Sequence, residues 1–402
     1  MTYTYMTEDV RDYRCMSSGE CCANWRIDIE EPIYKKLLEY YNAHSNPSAS
    51  NQLFDVIDED GVKKYTIHHY KGHCPFLESN KLCHIHRKLG HATKPYACRQ
   101  FPNNIFPTPY GIIATLSYAC PSCARFLLDG RTFRILSVKN TTPAMKMPEF
   151  HVDKNKIISW DGYKLFEKNI IDILSESEQG LEIRLMRVGA YIEHLSNLDT
   201  NNEILEPLHI ATLDETISIG GGFQSLDNRF SQKKVMLSQQ LKVLHALLIL
   251  WKTVFMSKLL SDEITLLLDE LHFNATSPVS SPALVYGKGI REYIHTLPKR
   301  YEKALTKFIL SKIYSKKPFY EESIKKGYYT LITVLAIHRL HLLAMSLKKK
   351  GLPDDADFLK SIQFIERYFM HSPHLTPTWN KVDRAHLFDN PDYVYLMIRT
   401  QH

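Results

Sequence analysis

Every cysteine of the chain lies in its first third, at Cys15, Cys21, Cys22, Cys74, Cys83, Cys98, Cys120 and Cys123, and nothing from there to residue 402 carries a thiol. Cysteines packed as small hydrophobes would be spread along the chain. Cysteines meant for disulfides would call for an oxidising compartment. The first residues, MTYTYMTEDVRDYRC, hold acidic side chains and no apolar run, so neither a signal peptide nor a twin-arginine leader is expected. In a reducing cytosol such clustering points to metal or redox chemistry. The expectation is a soluble, cytoplasmic protein whose first third builds a metal centre.

Two arrangements carry most of this signal. Cys120-Pro-Ser-Cys123 is a C-x-x-C knuckle: two intervening residues let a tight turn aim both sulfurs at one metal, and Pro121 favours the turn. Cys15-Met-Ser-Ser-Gly-Glu-Cys21-Cys22 is a polar, glycine-containing loop that can fold its thiolates toward one point. Between them lie Cys74-Pro-Phe, Cys83-His-Ile-His and Cys98-Arg-Gln-Phe-Pro. Neither the ferredoxin nor the radical S-adenosylmethionine spacing is present, and a zinc ribbon would need a second C-x-x-C. The thiols outnumber the ligands of a cubane cluster or a structural zinc, so about four are expected to ligate. The others would surround the centre or serve a second metal. Neighbouring side chains of an extended segment point to opposite sides, so only one of Cys21 and Cys22 is expected at the main centre. His68, His69, His73, His84, His86 and His91 keep zinc or a mixed site open beside iron. Each of them alone reads as a solvated or hydrogen-bonded loop histidine.

Composition narrows the class by exclusion. A chain of 402 residues, 44% apolar and 23% charged, is ordinary for a globular protein with room for two domains. The formal charge of +6 is dispersed, and the longest lysine run, Lys348 to Lys350, precedes Gly351 and Pro353 as a helix C-terminus would. No nucleic-acid partner is expected. The most apolar segment read from sequence, Leu241 to Phe255, is interrupted by Lys242, His245 and Lys252 and falls short of the roughly 18–20 residues of a membrane span. No membrane partner is expected either.

Arg131 to Val138 reads as β-type, and Pro143 and Pro148 follow it as in a linker. After Trp160 the periodicity becomes helical: Ile183, Leu185, Val188 and Ile192 recur at that spacing, as do Leu241, Leu244, Leu248 and Trp251. Further helices are expected over about 282–314, 321–350 and 355–371, with breaks at Pro278, Pro282, Pro298, Pro318 and Pro353. The expected fold class is mainly α: a cysteine-rich metal-binding N-terminal domain with little regular structure, docked on an irregular helical C-terminal body. The expected domains are residues 1–135, a linker over 136–160, and a helical domain over 161–402.

The pattern Cys15…Cys21-Cys22, Cys74-Pro-Phe-Leu, Cys83-His-Ile-His, Lys94-Pro95 and Cys98-Arg-Gln-Phe-Pro resembles the bacterial iron- or zinc-chelating cysteine-cluster family, the CxxCxxCC type. Within it, the later Cys120-Pro-Ser-Cys123 and the long helical remainder resemble the flagellin lysine-N-methylases. This chain departs from the pattern in lacking a C-x-x-C start before Cys21, in Lys94 where arginine is usual, and in His86 where tyrosine is usual. The resemblance implies an enzyme that transfers methyl from S-adenosylmethionine to lysine ε-amino groups of flagellin, with a [4Fe-4S] cluster; a monomer is expected. Zinc stays the alternative metal, and a non-enzymatic module that docks or chaperones a protein partner the alternative function. No acidic-Gly-x-Gly-x-Gly loop follows a strand, and Gly220-Gly221-Gly222 reads as a turn between helices, so a donor site would not be of the doubly wound type. Sequence assigns no catalytic or donor-binding residue. A lysine acceptor, with a free pKa near 10.4, must lose a proton before attack, and Tyr65, Tyr70, Tyr96, Tyr110 and Tyr118 lie among the cysteines.

Overall fold

The alternating segment Thr2–Thr7, TYTYMT, forms strand β1 in the middle of a four-stranded sheet of order β5-β6-β1-β7. Its neighbours come from far along the chain: β6 (Gly111–Leu116) runs parallel to it, and β7 (Ile135–Asn140) antiparallel. β5 (Asn103–Thr108) closes a hairpin onto β6. Gly111 sits at φ +134°, where a Cβ would come within 1.9 Å of the Tyr3 carbonyl oxygen, so only glycine lets the two strands meet there. The computed structural model describes residues 2–23, 27–44, 52–59, 61–69, 73–140, 149–153, 156–197, 236–254, 258–273, 281–320, 323–370 and 392–400. Gly220 to Gly222, Tyr70, Pro143, Pro148 and Pro278 lie outside them.

A second, smaller unit follows β1. Strands β2 (Asp28–Ile29), β3 (Phe54–Glu59) and β4 (Val62–Ile67) pair in the order β2-β4-β3, beside a helix over Glu31–His44. Ile29, Leu37, Phe54, Ile67, Phe76 and Ile85 make its core, with Cys74 and Cys83 packed against them. The N-terminal third is thus more regular than sequence suggested. Its strands are short and pair non-locally, so their alternation is diluted by the loops that carry the cysteines.

The remainder is mainly helical. Helices cover Trp160–Ser175, Leu181–Asn197, Met236–Val254, Lys258–Glu270, Pro282–Gly289, Lys299–Tyr314, Lys317–Tyr320, Ile324–Lys349, Asp355–Ile365 and Asp392–Ile398. Two continue as π-turns, Ile290–Ile294 and Glu366–Met370. Start signals are local: Ser159 and Ser323 cap their helices, and Asp354 with Asp357 forms a capping box. The helix Ile324–Lys349 is the axis of the body. By length and composition it could cross a membrane, yet 78% of its apolar window is packed inside the protein, so it reads as a core helix. It, and not the 241–255 segment, is the stretch that meets a span's criteria among the described residues. Residues 136–160 hold most of β7 and the hairpin of β8 (Phe150–Asp153) and β9 (Lys156–Ile158). Phe150, Val152 and Ile158 are buried in the helical core, and Phe150 stacks on Tyr163 at 3.8 Å.

Candidate metal centre

All eight cysteines are free thiols. Gly19, at φ +75°, turns the chain into a single 3₁₀ turn, Glu20–Cys22. The segment is therefore not extended, and the sulfurs of Cys21 and Cys22 stand 3.9 Å apart instead of on opposite sides. The Cys74 amide donates to the Cys22 carbonyl at 2.9 Å, and Leu77 bridges Cys83, so backbone bonds tie three cysteine segments together. Cys83 precedes the short helix His84–Leu89, and Cys98 sits in Tyr96–Gln100, whose first amide donates to Glu30 at 2.8 Å. Cys120 precedes the turn Pro121–Ala124 with proline at its first position, and Cys120 and Cys123 are both buried. The Met16 amide donates to Ser122 Oγ at 3.1 Å, which lays the Cys15 loop over this knuckle.

Electrostatics sort the thiols into two groups. The hydrogen bond with Cys22 draws Cys21 down to about 7, and that same bond, with burial, pushes Cys22 up. Burial first, and then the charges of neighbouring cysteines, raise Cys74 to about 11 and Cys98 to about 12. Cys21, Cys22, Cys74, Cys83 and Cys98 thus feel one another. Cys120 is drawn to about 6 by the Cys123 thiol, while Cys123 is pushed up, first by burial. Tyr13 lies between these two and Cys15, its hydroxyl held protonated by burial and then by their charges. Cys21 joins the groups, since Cys120 acts on it.

This donor set suits a soft metal in kind: several thiols resist losing their protons together, and a bound cation would reverse that. Among the described residues no three of His, Cys, Asp or Glu are gathered closely enough to hold an ion as placed. The histidines do not complete such a set. His68 pairs with Asp55 and His84 with Glu78, at 2.9 and 2.8 Å, His73, His86 and His91 are exposed, and His69 is half-buried with its Nε2 unpaired among the described residues.

Beneath the knuckle lies a layer of buried charge that sequence reasoning missed. The Lys307 ammonium donates to Asp9 at 3.1 Å and to the Phe126 carbonyl at 2.6 Å, and the Tyr118 hydroxyl donates to Asp9 at 3.4 Å. Lys312 pairs with Glu366 and stands 5.1 Å from the Tyr118 ring centroid; Lys316 pairs with Glu167. Burial pulls Lys312 and Lys316 below the ordinary lysine value, against the opposing pull of their carboxylates. The available signal was their position: Lys307, Lys312 and Lys316 alternate with Phe308, Ile309, Leu310, Ile313 and Tyr314 in TKFILSKIYSK.

Away from the thiols, a cavity of about 490 Å³ opens in the helical body between Leu181, Leu305, Ala336, His338, Phe358 and Met397. His338 is buried, and burial brings it down to about 3, so it stays neutral. Ser361 donates to the His338 carbonyl at 3.1 Å and so accepts from Nδ1 at 2.8 Å, leaving Nε2 a bare acceptor among the described residues.

Residues 167–397 match the family described as the FliB lysine N-methylase C-terminal domain, and residues 14–124 match the CxxCxxCC family, described as a zinc- or iron-chelating domain. A curated lysine-N-methylase of Salmonella typhimurium is 23% identical over 255 residues, covering 58% of this chain and 58% of that protein. Its counterpart in Salmonella choleraesuis matches to the same extent. A flagellar biosynthetic protein, FliU, of Salmonella muenchen is 25% identical over 119 residues, 28% of this chain and 67% of that protein. The match thus spans under two thirds of the two methylases' length. No solved structure matches.

Proposed function

Because the chain belongs to the FliB lysine N-methylase family, we propose that it is an iron–sulfur-dependent protein lysine N-methyltransferase. Its donor is S-adenosylmethionine and its acceptors are lysine ε-amino groups of flagellin. The observation that carries the reading is the joining of two halves: mutually interacting free thiols within residues matching a metal-chelating domain, seated on a helical body matching a methylase domain. About four of Cys15, Cys21, Cys22, Cys74, Cys83, Cys98, Cys120 and Cys123 hold the metal. When bound, a [4Fe-4S] cluster would supply a Lewis-acidic iron for the donor's amino and carboxylate groups. In the transfer the methyl–sulfur bond breaks as a nitrogen–carbon bond forms, the donor leaves as a thioether, and the ammonium proton goes to a base. The thiols bind, and the buried pairs beneath the knuckle orient it. We take the protein to act in the cytoplasm, where a reducing environment would keep its unpaired thiols free, and to act there as a monomer.

Anaerobic purification, elemental analysis and an optical spectrum test the metal: iron with sulfide is the expected result. Incubation with S-adenosylmethionine and flagellin tests the chemistry, with a mass gain of whole methyl units on flagellin as the expected product. No gain with the metal intact would sink the enzyme. Zinc without sulfide, and no gain, would leave a zinc-binding module that docks a protein partner. Sedimentation and cell fractionation check the monomer and the compartment.

A further inference from the structure

Two consecutive residues of the helical body grip the two cysteine loops from below. Glu366 opens the π-turn Glu366–Met370 and is fully buried. One of its oxygens accepts from the Tyr118 amide at 2.8 Å and from the Ser117 hydroxyl at 3.0 Å, while the other faces Lys312. Ser117 in turn accepts from the Ala119 amide with its hydroxyl, and its carbonyl accepts from the Cys120 amide at 3.3 Å. The carboxylate therefore fixes the backbone that delivers Cys120 and Cys123. The next residue, Arg367, donates to the Glu20 carbonyl at 3.4 Å, at the residue before Cys21 and Cys22. These loops are about a hundred residues apart in sequence, yet Cys120 acts electrostatically on Cys21. A π-turn inserts one residue into a helix, and such insertions recur at functional sites.

We propose that Glu366 and Arg367 are a two-pronged positioning clamp: the helical body, through this one π-turn, sets the spacing between the Cys21–Cys22 loop and the Cys120–Cys123 knuckle. Lys312 neutralises the carboxylate, so that it can be buried. The bonds to Tyr118 and Ser117 do the positioning. Both residues act through the loops they hold and are positioning residues. The inference rests on the metal reading of the thiols only for one of its readouts.

The test uses the full chain. Metal per chain is measured anaerobically, and the alkylation rate of each cysteine by iodoacetamide is followed by mass spectrometry after chelation. Removing Glu366 alone would strand a buried ammonium, so the pair is replaced together. In Lys312→Met/Glu366→Leu, alkylation of Cys120 and Cys123 should rise by about tenfold, as expected when one or two buried hydrogen bonds are lost, and metal per chain should fall. Lys312→Met/Glu366→Gln keeps an acceptor oxygen and should return both readouts toward wild type. Arg367→Ala should speed alkylation of Cys21 and Cys22 by about threefold and leave Cys120 alone. Wild-type rates and metal in the Leu variant would overturn the clamp, and so would equal losses in the Leu and Gln variants. If the Leu variant lacks a cooperative melt, Arg367→Ala decides: unchanged rates there overturn it. A wild-type protein that methylates nothing would sink the methylase reading and not the clamp, because the rates are read without donor or flagellin.

Discussion

The core under Cys74 and Cys83 and the core around Cys120 and Cys123 differ in what they can hold without help. The first is a handful of side chains from Ile29 to Ile85, among a three-stranded sheet and two helices, Glu31–His44 and His84–Leu89. The second is continuous with the whole helical body, from Phe106 to Ile398. A unit with so small a core commonly needs a metal or cross-links to stay folded. A helical body with a core this extended does not. The comparison teaches that the thiols are not evenly supported: Cys120 and Cys123 stand in the large core, while Cys74 and Cys83 pack on a small one that a bound metal would stiffen.

The sharpest way to break this comparison is to remove the metal. Chelation, Cys120→Ser or Cys123→Ser should strip it, and amides of 54–67 should then lose hydrogen-exchange protection by about a hundredfold, about 2.7 kcal/mol. Amides of 303–313 should keep theirs. Equal loss in both regions would erase the distinction. Next comes a matched pair of core truncations. Phe308→Ala and Phe76→Ala, both at buried positions, should each cost about 3–5 kcal/mol. In a calorimetric melt the first should lower the main transition, and the second should lower only the metal-dependent one; a single shared transition would contradict the two-part reading.

A smaller effect follows from His338. It is neutral in the fold down to about 3, whereas in the unfolded chain it takes up a proton below about 6.5. The unfolded state therefore binds more protons, and stability falls as pH drops from about 6.5 toward 3, by about 1.4 kcal/mol per unit. Above 6.5 this group adds no slope. Urea midpoints at pH 7 and 5.5, followed by helix signal, should show the loss in wild type and less of it in His338→Gln; equal slopes would reject it. The smallest effect belongs to Cys15. Its side chain is exposed, so Cys15→Ser should change the melting free energy by less than about 0.5 kcal/mol.

Helices with a regular apolar face were legible. The ranges 321–350 and 355–371 appear as Ile324–Lys349 and as Asp355–Ile365 with its π-turn, and Pro298 and Pro353 mark real ends. The lysine run does close its helix, although Lys350 itself takes the left-handed position that Gly351 was better suited to fill. The cysteine-bearing segments were legible as a group because thiol chemistry is rare and spacing is visible. Their pairing was not. Whether Cys21 faces Cys22 depends on a turn set by Gly19, and which loops meet depends on a sheet joining residues 2–7, 103–116 and 135–140. Lys312 and Glu366 were invisible for the same reason: a lysine in sequence looks solvated until its distant carboxylate is found.

Strand β1 lies between β6 and β7, partners that leave the ribosome roughly a hundred residues after it does. At ordinary translation rates this is a wait on the order of ten seconds. During that time an alternating Thr/Tyr strand has no native neighbour, while the β3–β4 hairpin can already close. The cysteine loops are therefore synthesised before the sheet of β1, β6 and β7 can be complete. Glu366 and Arg367, which hold two of those loops, are made later still, so for a chain built in this order metal loading would be a matter of timing as well as of amount.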